Sequence, residues 1–270
     1  MALNTAIQTA LTKPSSAFGF WLTLPSTGVA KTILRSTAQQ PNRFSWVLVD
    51  AEHGLITDSD YYELTNAIGA EGASPLIRVP WGEEWLIKRA LDAGAHGIVT
   101  PMCHTEEDAV KIVRHCKYPP QGTRGYGPMF APHSFPEVPA AEYDNNADNS
   151  ILVLVQIESR SGVENVEKIT QVAGLDGVLI GPFDLSKQMG VIRGGEEHEA
   201  AIQRILRAAK SAGKKVAIFC TDGVDARKRA EQGFDLVSIT TDVGVLGGGM
   251  TRELGISSGE IEGGTGRDGY

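Results

Sequence analysis

Short runs rich in β-branched and other apolar residues recur along the chain at 18–24, 46–50, 75–79, 97–100, 151–158, 177–181, 215–220 and 235–239. Each is bounded by Gly, Pro, Asn or Asp, the punctuation that ends strands. The runs are continuous rather than alternating, which is the pattern of strands covered on both faces. Between them the apolar period lengthens. Residues 58–71 place Tyr61, Leu64, Ala67 and Ile68 on one helical face; 83–93 group Leu86, Ala90 and Leu91; 106–115 group Ala109, Ile112 and Val113. Stretches 164–173, 197–212 and 224–232 continue the alternation. Eight strands alternating with helices predict an α/β protein, a single (β/α)8 TIM barrel over residues 1–246, with a doubly wound open sheet as the alternative.

Two segments break the rhythm. Residues 117–149 are rich in Pro, Gly and Asn and too long for an ordinary connection, so they read as an active-site loop or a subunit contact. Residues 247–270 form a glycine-rich C-terminal tail, expected to be flexible, in which Gly247, Gly248 and Gly249 read as a hinge.

Composition narrows the function. The chain has 270 residues, 41% hydrophobic and 21% charged, which suits one globular barrel. A net charge of −8 argues against nucleic acid as a partner, because phosphate binding needs a basic face. The longest clearly apolar run, residues 151–155, is far short of the ~20 a membrane helix requires, so no membrane partner is expected either. The first residues lack a basic start followed by an apolar core, so no secretory signal is read. Cys103, Cys116 and Cys220 are odd in number and widely spaced, which suggests free thiols and a cytoplasmic protein.

In a barrel, chemistry sits at the C-terminal ends of the strands. Those positions hold Asp50, Glu52 and His53 after the second strand, Arg78 at the end of the third, Gln156 and Glu158 at the fifth, and Asp184 after the sixth. Glu158 and Asp184 would stand on neighbouring strands, about 4.8 Å apart, where two carboxylates repel unless a cation or proton lies between them. Hard oxygen donors select Mg²⁺ or Mn²⁺; alternatively both acids are ordinary strand-end or helix-cap groups. His53 is the only histidine placed directly after a strand end, and Asp50 three residues earlier could fix its tautomer and make it a base. His198, by contrast, reads as the start of a surface helix. Arg78 interrupts an apolar run and needs an anionic partner, either a substrate oxyanion or Glu52 or Glu158. No GxSxG elbow, strand-end Schiff-base lysine, GxxxxGK[ST] loop or strand-linked GxGxxG is present.

An ordered set of motifs resembles the HpcH/HpaI aldolase/citrate lyase family, in particular its class II, metal-dependent pyruvate aldolases. The set comprises Gly19-Phe20-Trp21-Leu22, Asp50-Ala51-Glu52-His53, Arg78-Val79-Pro80 and Leu91-Asp92-Ala93-Gly94-Ala95. It continues through Pro101-Met102, Tyr118-Pro119-Pro120-Gln121-Gly122-Thr123-Arg124-Gly125, Gln156-Ile157-Glu158 and Gly181-Pro182-Phe183-Asp184-Leu185-Ser186. The resemblance implies a divalent metal cation (Mg²⁺, Mn²⁺ or Co²⁺) held by Glu158 and Asp184 and supported by Gln156. It implies that Arg78 contacts a 2-oxo group, that His53 with Asp50 handles protons, and that Trp21, Gly181, Pro182 and Phe183 line the substrate site. Asp92 matches a position that completes a neighbouring subunit's site, so a homo-oligomer, a hexamer or a dimer of barrels, is expected. Relatives often exchange C-terminal helices, which the glycine-rich end here puts in question, and often carry a smaller residue at Phe183. The implied reaction is reversible aldol cleavage of a 4-hydroxy-2-oxo acid to pyruvate and an aldehyde through a pyruvate enolate. Oxaloacetate decarboxylation at the same site is the leading alternative. A CoA-ester lyase and a non-catalytic barrel rank behind both.

Overall fold

The computed structural model describes residues 3–136 and 138–261. Eight parallel strands close into one barrel in sequential order: β1 (Ala17–Leu22), β2 (Trp46–Asp50), β3 (Ser74–Arg78), β4 (Gly97–Thr100), β5 (Leu152–Ile157), β6 (Gly177–Ile180), β7 (Lys215–Phe219) and β8 (Leu236–Thr241). Closure comes from β8 pairing with β1, Ala17 opposite Leu236. The (β/α)8 expectation is met, and the open sheet is excluded because neither end of the strand order is free.

The helices are α1 (Ala6–Leu11), α2 (Thr27–Thr37), α3 (Tyr61–Ala70), α4 (Glu84–Asp92), α5 (Glu106–Cys116), α6 (Ala140–Ser150), α7 (Arg160–Glu164), α8 (Val166–Ile169), α9 (Pro182–Met189), α10 (Glu196–Ser211), α11 (Gly223–Glu231) and α12 (Asp242–Ser257). Two hydrophobic layers result. Phe20, Val47, Val49, Ile77, Ile98, Val153, Val178 and Ile218 point outward under the helices. Trp46, Leu48, Leu76, Val99, Leu154, Leu179 and Ala217 fill the barrel itself. Gly19 makes room for that filling, since a Cβ there would lie 2.3 Å from the Trp46 ring. The alternation that puts Leu48, Leu76 and Leu154 inside also turns Asp50, Arg78 and Gln156 inward one pleat later, at the C-terminal mouth.

The N-terminal end is plugged. Ile7 of α1 joins the interior cluster, and its N–H donates to Ser74 Oγ at 3.0 Å. The described residues of 117–149 lie at this end too, which rules them out as a loop over their own barrel's mouth. A 3-10 turn (Ala131–Ser134) and α6 pack there; Phe135 stacks on His96 at 4.0 Å, and Ser134 Oγ donates to Gly94 O.

The helical expectation for 164–173 is corrected: the chain forms α7 and α8, broken at Asn165. The hinge at Gly247-Gly248-Gly249 is also corrected, because those residues lie inside α12. Thr241 caps that helix by accepting from Gly244 N–H at 3.0 Å. Asp242, its first residue, accepts from Thr23 and Leu24 N–H and pins the helix to the loop after β1. The tail reading for 262–270 lies outside the described residues.

Candidate active site

Asp50 and Arg78 end two paired strands in register, so both side chains enter the mouth side by side. Arg78 is 2% exposed, and its fork closes on Asp50, Nε to Oδ1 at 2.9 Å and Nη2 to Oδ2 at 2.8 Å. Nη1 forms an ion pair with Glu52 Oε2 at 2.8 Å, and the guanidinium plane lies 4.2 Å above the Trp21 ring. A buried cation is tolerated only when it is paired and hydrogen-bonded, and here two acids and an aromatic face meet that need. Of the open alternatives for Arg78, pairing with Glu52 is realised. Asp50, not named as its partner from the sequence, holds it most closely.

The expected contact of Asp50 with the His53 ring is not formed. Asp50 Oδ1 accepts from the backbone N–H groups of Glu52 and His53, at 3.1 and 3.2 Å, in addition to Arg78. The guanidinium takes the carboxylate because it is a permanent charge with matching geometry. The imidazole instead stands exposed, with Nε2 3.8 Å from Glu52 Oε1. Gly54 shapes this turn: a Cβ there would sit 2.3 Å from Asp50 O.

Across the mouth, Glu158 is 1% exposed. Its Oε1 accepts from Met102 N–H at 2.9 Å, and its Oε2 accepts from Gln156 Nε2. Met102 adopts a left-handed backbone, φ 55°, to present that N–H. Gly181 leaves room beside them: a Cβ there would lie 2.5 Å from Glu158 Oε2 and 2.7 Å from Gln156 Nε2, so both side-chain tips would have to shift. Pro182 starts α9, and Asp184 lies in its first turn with no capping bond. Burial pushes the Glu158 carboxyl up to about 7, helped by the charges of Glu52 and Asp184. Burial likewise raises Glu52 to about 7 against the pull of Arg78, with Asp50 and Asp184 adding to the rise. Gln156 Oε1 and Trp21 Nε1, both buried at inward positions, have no hydrogen-bond partner among the described residues. Phe183 is 43% exposed beside Phe219, whose ring also touches Trp21 at 4.6 Å.

The fold thus gathers Trp21, Asp50, His53, Arg78, Gln156, Glu158, Gly181, Pro182, Phe183 and Asp184 at one end. It does not bring Asp92 there. Asp92 ends α4, toward the plugged end, where Arg124 Nη2 donates to it at 2.7 Å. Sequence reasoning placed Glu52 at a strand end and as a partner for Arg78 without giving it a role in the reaction, and it missed Phe219 and the Met102 N–H. The Asp-Ala-Glu-His spacing could have flagged Glu52, whereas a backbone donor leaves no residue-type signal. Among the described residues no three His, Cys, Asp or Glu form a metal cluster, and no helix is long and apolar enough to cross a membrane.

Fold and site together define a parallel barrel whose mouth concentrates acids around one buried arginine. Residues 21–247 match the family described as HpcH/HpaI aldolase/citrate lyase, and the chain belongs to that family. It is 36% identical over 205 residues to a 5-keto-4-deoxy-D-glucarate aldolase of Citrobacter koseri, covering 75% of this chain and 79% of that one. It is 34% identical over 248 residues to a hydroxypyruvate/pyruvate aldolase of Roseobacter denitrificans, covering 90% and 93%. A crystal structure of a family protein from Burkholderia cenocepacia J2315 superposes with a TM-score of 0.83 at 32% identity, over 93% of this chain and 98% of that one.

Proposed function

We propose that the chain is a metal-dependent carbon–carbon lyase that reversibly cleaves a 4-hydroxy-2-oxo acid to pyruvate and an aldehyde. The observation that carries this is the pairing of opposites at the mouth: buried Glu158 with Asp184 on one side and buried Arg78 on the other. Relatives with aldolase activity over most of their length support the same class of reaction.

The donors fit a hard divalent cation. Glu158 and Asp184 supply carboxylate oxygen, unpartnered Gln156 Oε1 supports them, and Gly181 clears the space that a side chain would fill. Mg²⁺, Mn²⁺ or Co²⁺ bound there would act as a Lewis acid toward the substrate's carboxylate and 2-oxo oxygens. The chain's own residues do the rest. Arg78, fixed by Asp50 and Glu52, turns its remaining N–H groups to the 2-oxo oxygen, which gains charge as the C3–C4 bond breaks. His53 takes the C4 hydroxyl proton, the O–H electrons form the aldehyde carbonyl, and the C3–C4 pair passes into the enolate of pyruvate. Protonation at C3 completes the product. Asp50 serves in this scheme as the anchor of Arg78.

The assembly is proposed to be a homo-oligomer. Asp92 keeps 27% of its side chain exposed at the far end of the barrel, placed to complete a neighbour's site. Val243, Leu246, Met250 and Leu254 form an exposed apolar stripe on α12. All three cysteines are buried and unpaired, which agrees with a cytoplasmic setting.

The test is pyruvate release from 4-hydroxy-2-oxo acids and from oxaloacetate, titrated with Mg²⁺, Mn²⁺ and Co²⁺, with calorimetry of metal binding to E158Q and D184N. Turnover should vanish with EDTA, and both variants should lose metal affinity. Turnover indifferent to EDTA, or unaltered affinity in both variants, overturns the proposal.

A further inference from the structure

The two sides of the mouth are fastened by different means. On the side of Asp184 the fastening is His198, which the sequence reading put at the start of a surface helix but which is 1% exposed. Its Nδ1 accepts from Gly194 N–H at 3.1 Å, so Nε2 carries the proton and donates to Pro182 O at 2.9 Å, in the first turn of α9. On the side of His53 the loop after β2 is held at both ends. Asp50 Oδ1 takes the backbone N–H groups of Glu52 and His53, and Thr23 O takes that of Leu55 at 2.8 Å. The loop runs hard against Thr23, since a Cβ at Gly54 would lie 2.9 Å from Thr23 O. The His53 ring itself is exposed, so the backbone between these fastenings decides where it stands.

Thr23 is fixed in turn by a carboxylate 219 residues further along the chain. Asp242 is 5% exposed. Its Oδ2 accepts from Thr23 N–H and Leu24 N–H, both at 3.0 Å; its Oδ1 accepts from Thr23 Oγ at 2.6 Å and from Val243 N–H at 2.9 Å. All of these donors are neutral groups. Four donors call for the lone-pair sites of a carboxylate, which a single amide oxygen lacks. Capping does not account for the acid, because Thr241 already caps α12 and three of the four donors belong to the loop after β1. A bulge brings the carboxylate there: Gly19 lies opposite Ser238 but Trp21 opposite Thr241, so two steps along β1 are matched by three along β8. Asp242 thus lands beside Thr23, two residues past the Trp21 ring that supports Arg78.

We propose that Asp242 is a positioning residue for the cleavage step: by fixing Thr23 it sets the loop that carries His53 where the imidazole can take the C4 hydroxyl proton. The inference rests on the aldolase reading above and adds a residue that acts only through others. The Asp242 carboxylate orders Thr23, the Thr23 carbonyl orders Leu55, and Leu55 closes the turn that begins at Asp50. Proton transfer needs donor and acceptor within hydrogen-bond reach, and a displacement of about 1 Å costs about 100-fold in rate. Glu158 and Asp184 take no part in this series of bonds, so metal affinity and substrate capture are left alone.

The experiment measures kcat and KM for cleavage of a 4-hydroxy-2-oxo acid, Mn²⁺ affinity by calorimetry, and amide hydrogen exchange, in D242N, T23V and T23S. D242N should lower kcat about 10- to 100-fold while KM and Mn²⁺ affinity stay within about threefold. The Leu55 amide should exchange about tenfold faster or more, with the amides of β2 still protected. T23V removes only the hydroxyl bond, so its kcat should fall less, about 3- to 10-fold, and T23S should recover to within about twofold of the wild type. The proposal is overturned if D242N keeps kcat within about twofold, or if KM, Mn²⁺ affinity and β2 protection fail along with kcat, the signature of a purely structural anchor. Should D242N not fold, T23V and T23S decide: equal kcat in the two overturns the proposal. Each of these failures leaves the aldolase reading standing. If the wild-type protein cleaves no such acid with any metal, the aldolase reading itself fails and takes this role of Asp242 with it.

Discussion

Two of the buried guanidiniums lie at opposite ends of this barrel, and their surroundings diverge. Arg78 at the mouth and Arg124 at the plugged end are 2% and 0% exposed. Each lies over an aromatic ring, Trp21 at 4.2 Å and Tyr118 at 4.4 Å, and each holds an aspartate. Around Arg124 the other contacts are phenols: Tyr143 Oη lies 3.3 Å from both Nη atoms, and burial pushes the Tyr118 and Tyr143 hydroxyls up, so both stay neutral. One cation meets one anion there. Around Arg78 stand Asp50 and Glu52, with the charges of Asp184 and Glu158 within reach and two of these acids raised to about 7. The mouth thus holds more negative charge than its arginine can balance. Folding alone gives no reason to retain that surplus, but a bound cation and an oxyanion-forming substrate do.

The largest expected effect separates the two arginines by readout. R78K keeps the charge but loses the fork that matches Asp50 and the substrate oxygen, so kcat should fall about 100- to 1000-fold while the melt shifts little. R124M leaves Asp92 without its cation. Unfolding in urea should show a loss of about 3 kcal/mol, at the low end of the range for breaking a buried pair because Asp92 can still hydrate. Equal loss of stability in both variants, with turnover per folded molecule unchanged in R78K, would erase the distinction drawn here.

The mouth was easier to read from sequence than the plug, for a physical reason. Strands buried on both faces must be apolar, so the predicted 46–50 and 97–100 coincide with β2 and β4. Polar residues at such strand ends then stand out. The plug's α6 has the sequence AAEYDNNADNS, whose Asn and Asp residues argue against a helix. Tyr143 and Ala147, both fully buried, hold it helical through contacts that local propensity does not report. In α12, likewise, the Thr241 cap and the Asp242 anchor override three consecutive glycines. His198 was misplaced because its helix opens with two exposed glutamates and only then turns inward. The site's charged members were therefore legible, whereas the partner that Arg78 chose and the donor at Met102 depended on distances.

A second, smaller effect sharpens the comparison by pH. His96 in the plug is 3% exposed; Nε2 donates to Ser134 O and Nδ1 meets Ser74 Oγ, so the neutral ring satisfies both contacts. Burial lowers its pKa from 6.5 to about 4. Between those values the unfolded chain binds a proton that the folded one refuses, so stability falls as pH drops from 6.5 toward 4 and levels off below. The difference amounts to about 3 kcal/mol for this one group. H96Q removes the titration, and the wild-type-minus-variant difference in urea unfolding isolates it from every carboxylate. A flat difference between pH 7 and pH 4 would show that the plug opens to admit the proton.

The smallest effect concerns Met102, where the mouth holds backbone strain. A left-handed non-glycine residue brings Cβ too close to its own carbonyl, at a cost of about 1–2 kcal/mol. That conformation aims the N–H at Glu158 Oε1. M102G relieves the clash but adds conformational freedom to the unfolded chain, which returns about 0.5–1 kcal/mol. The net should be a gain in stability of about 1 kcal/mol or less. The looser loop then fixes the carboxylate less firmly, so metal affinity should drop several-fold, below the range of about 10- to 100-fold typical of lost outer-shell contacts. Stability and affinity therefore move in opposite directions, the behaviour of strain kept for a ligand and not for the fold. If M102G loses stability while calorimetry finds metal affinity unchanged, the left-handed turn belongs to the barrel's architecture, and the mouth in this respect resembles the plug.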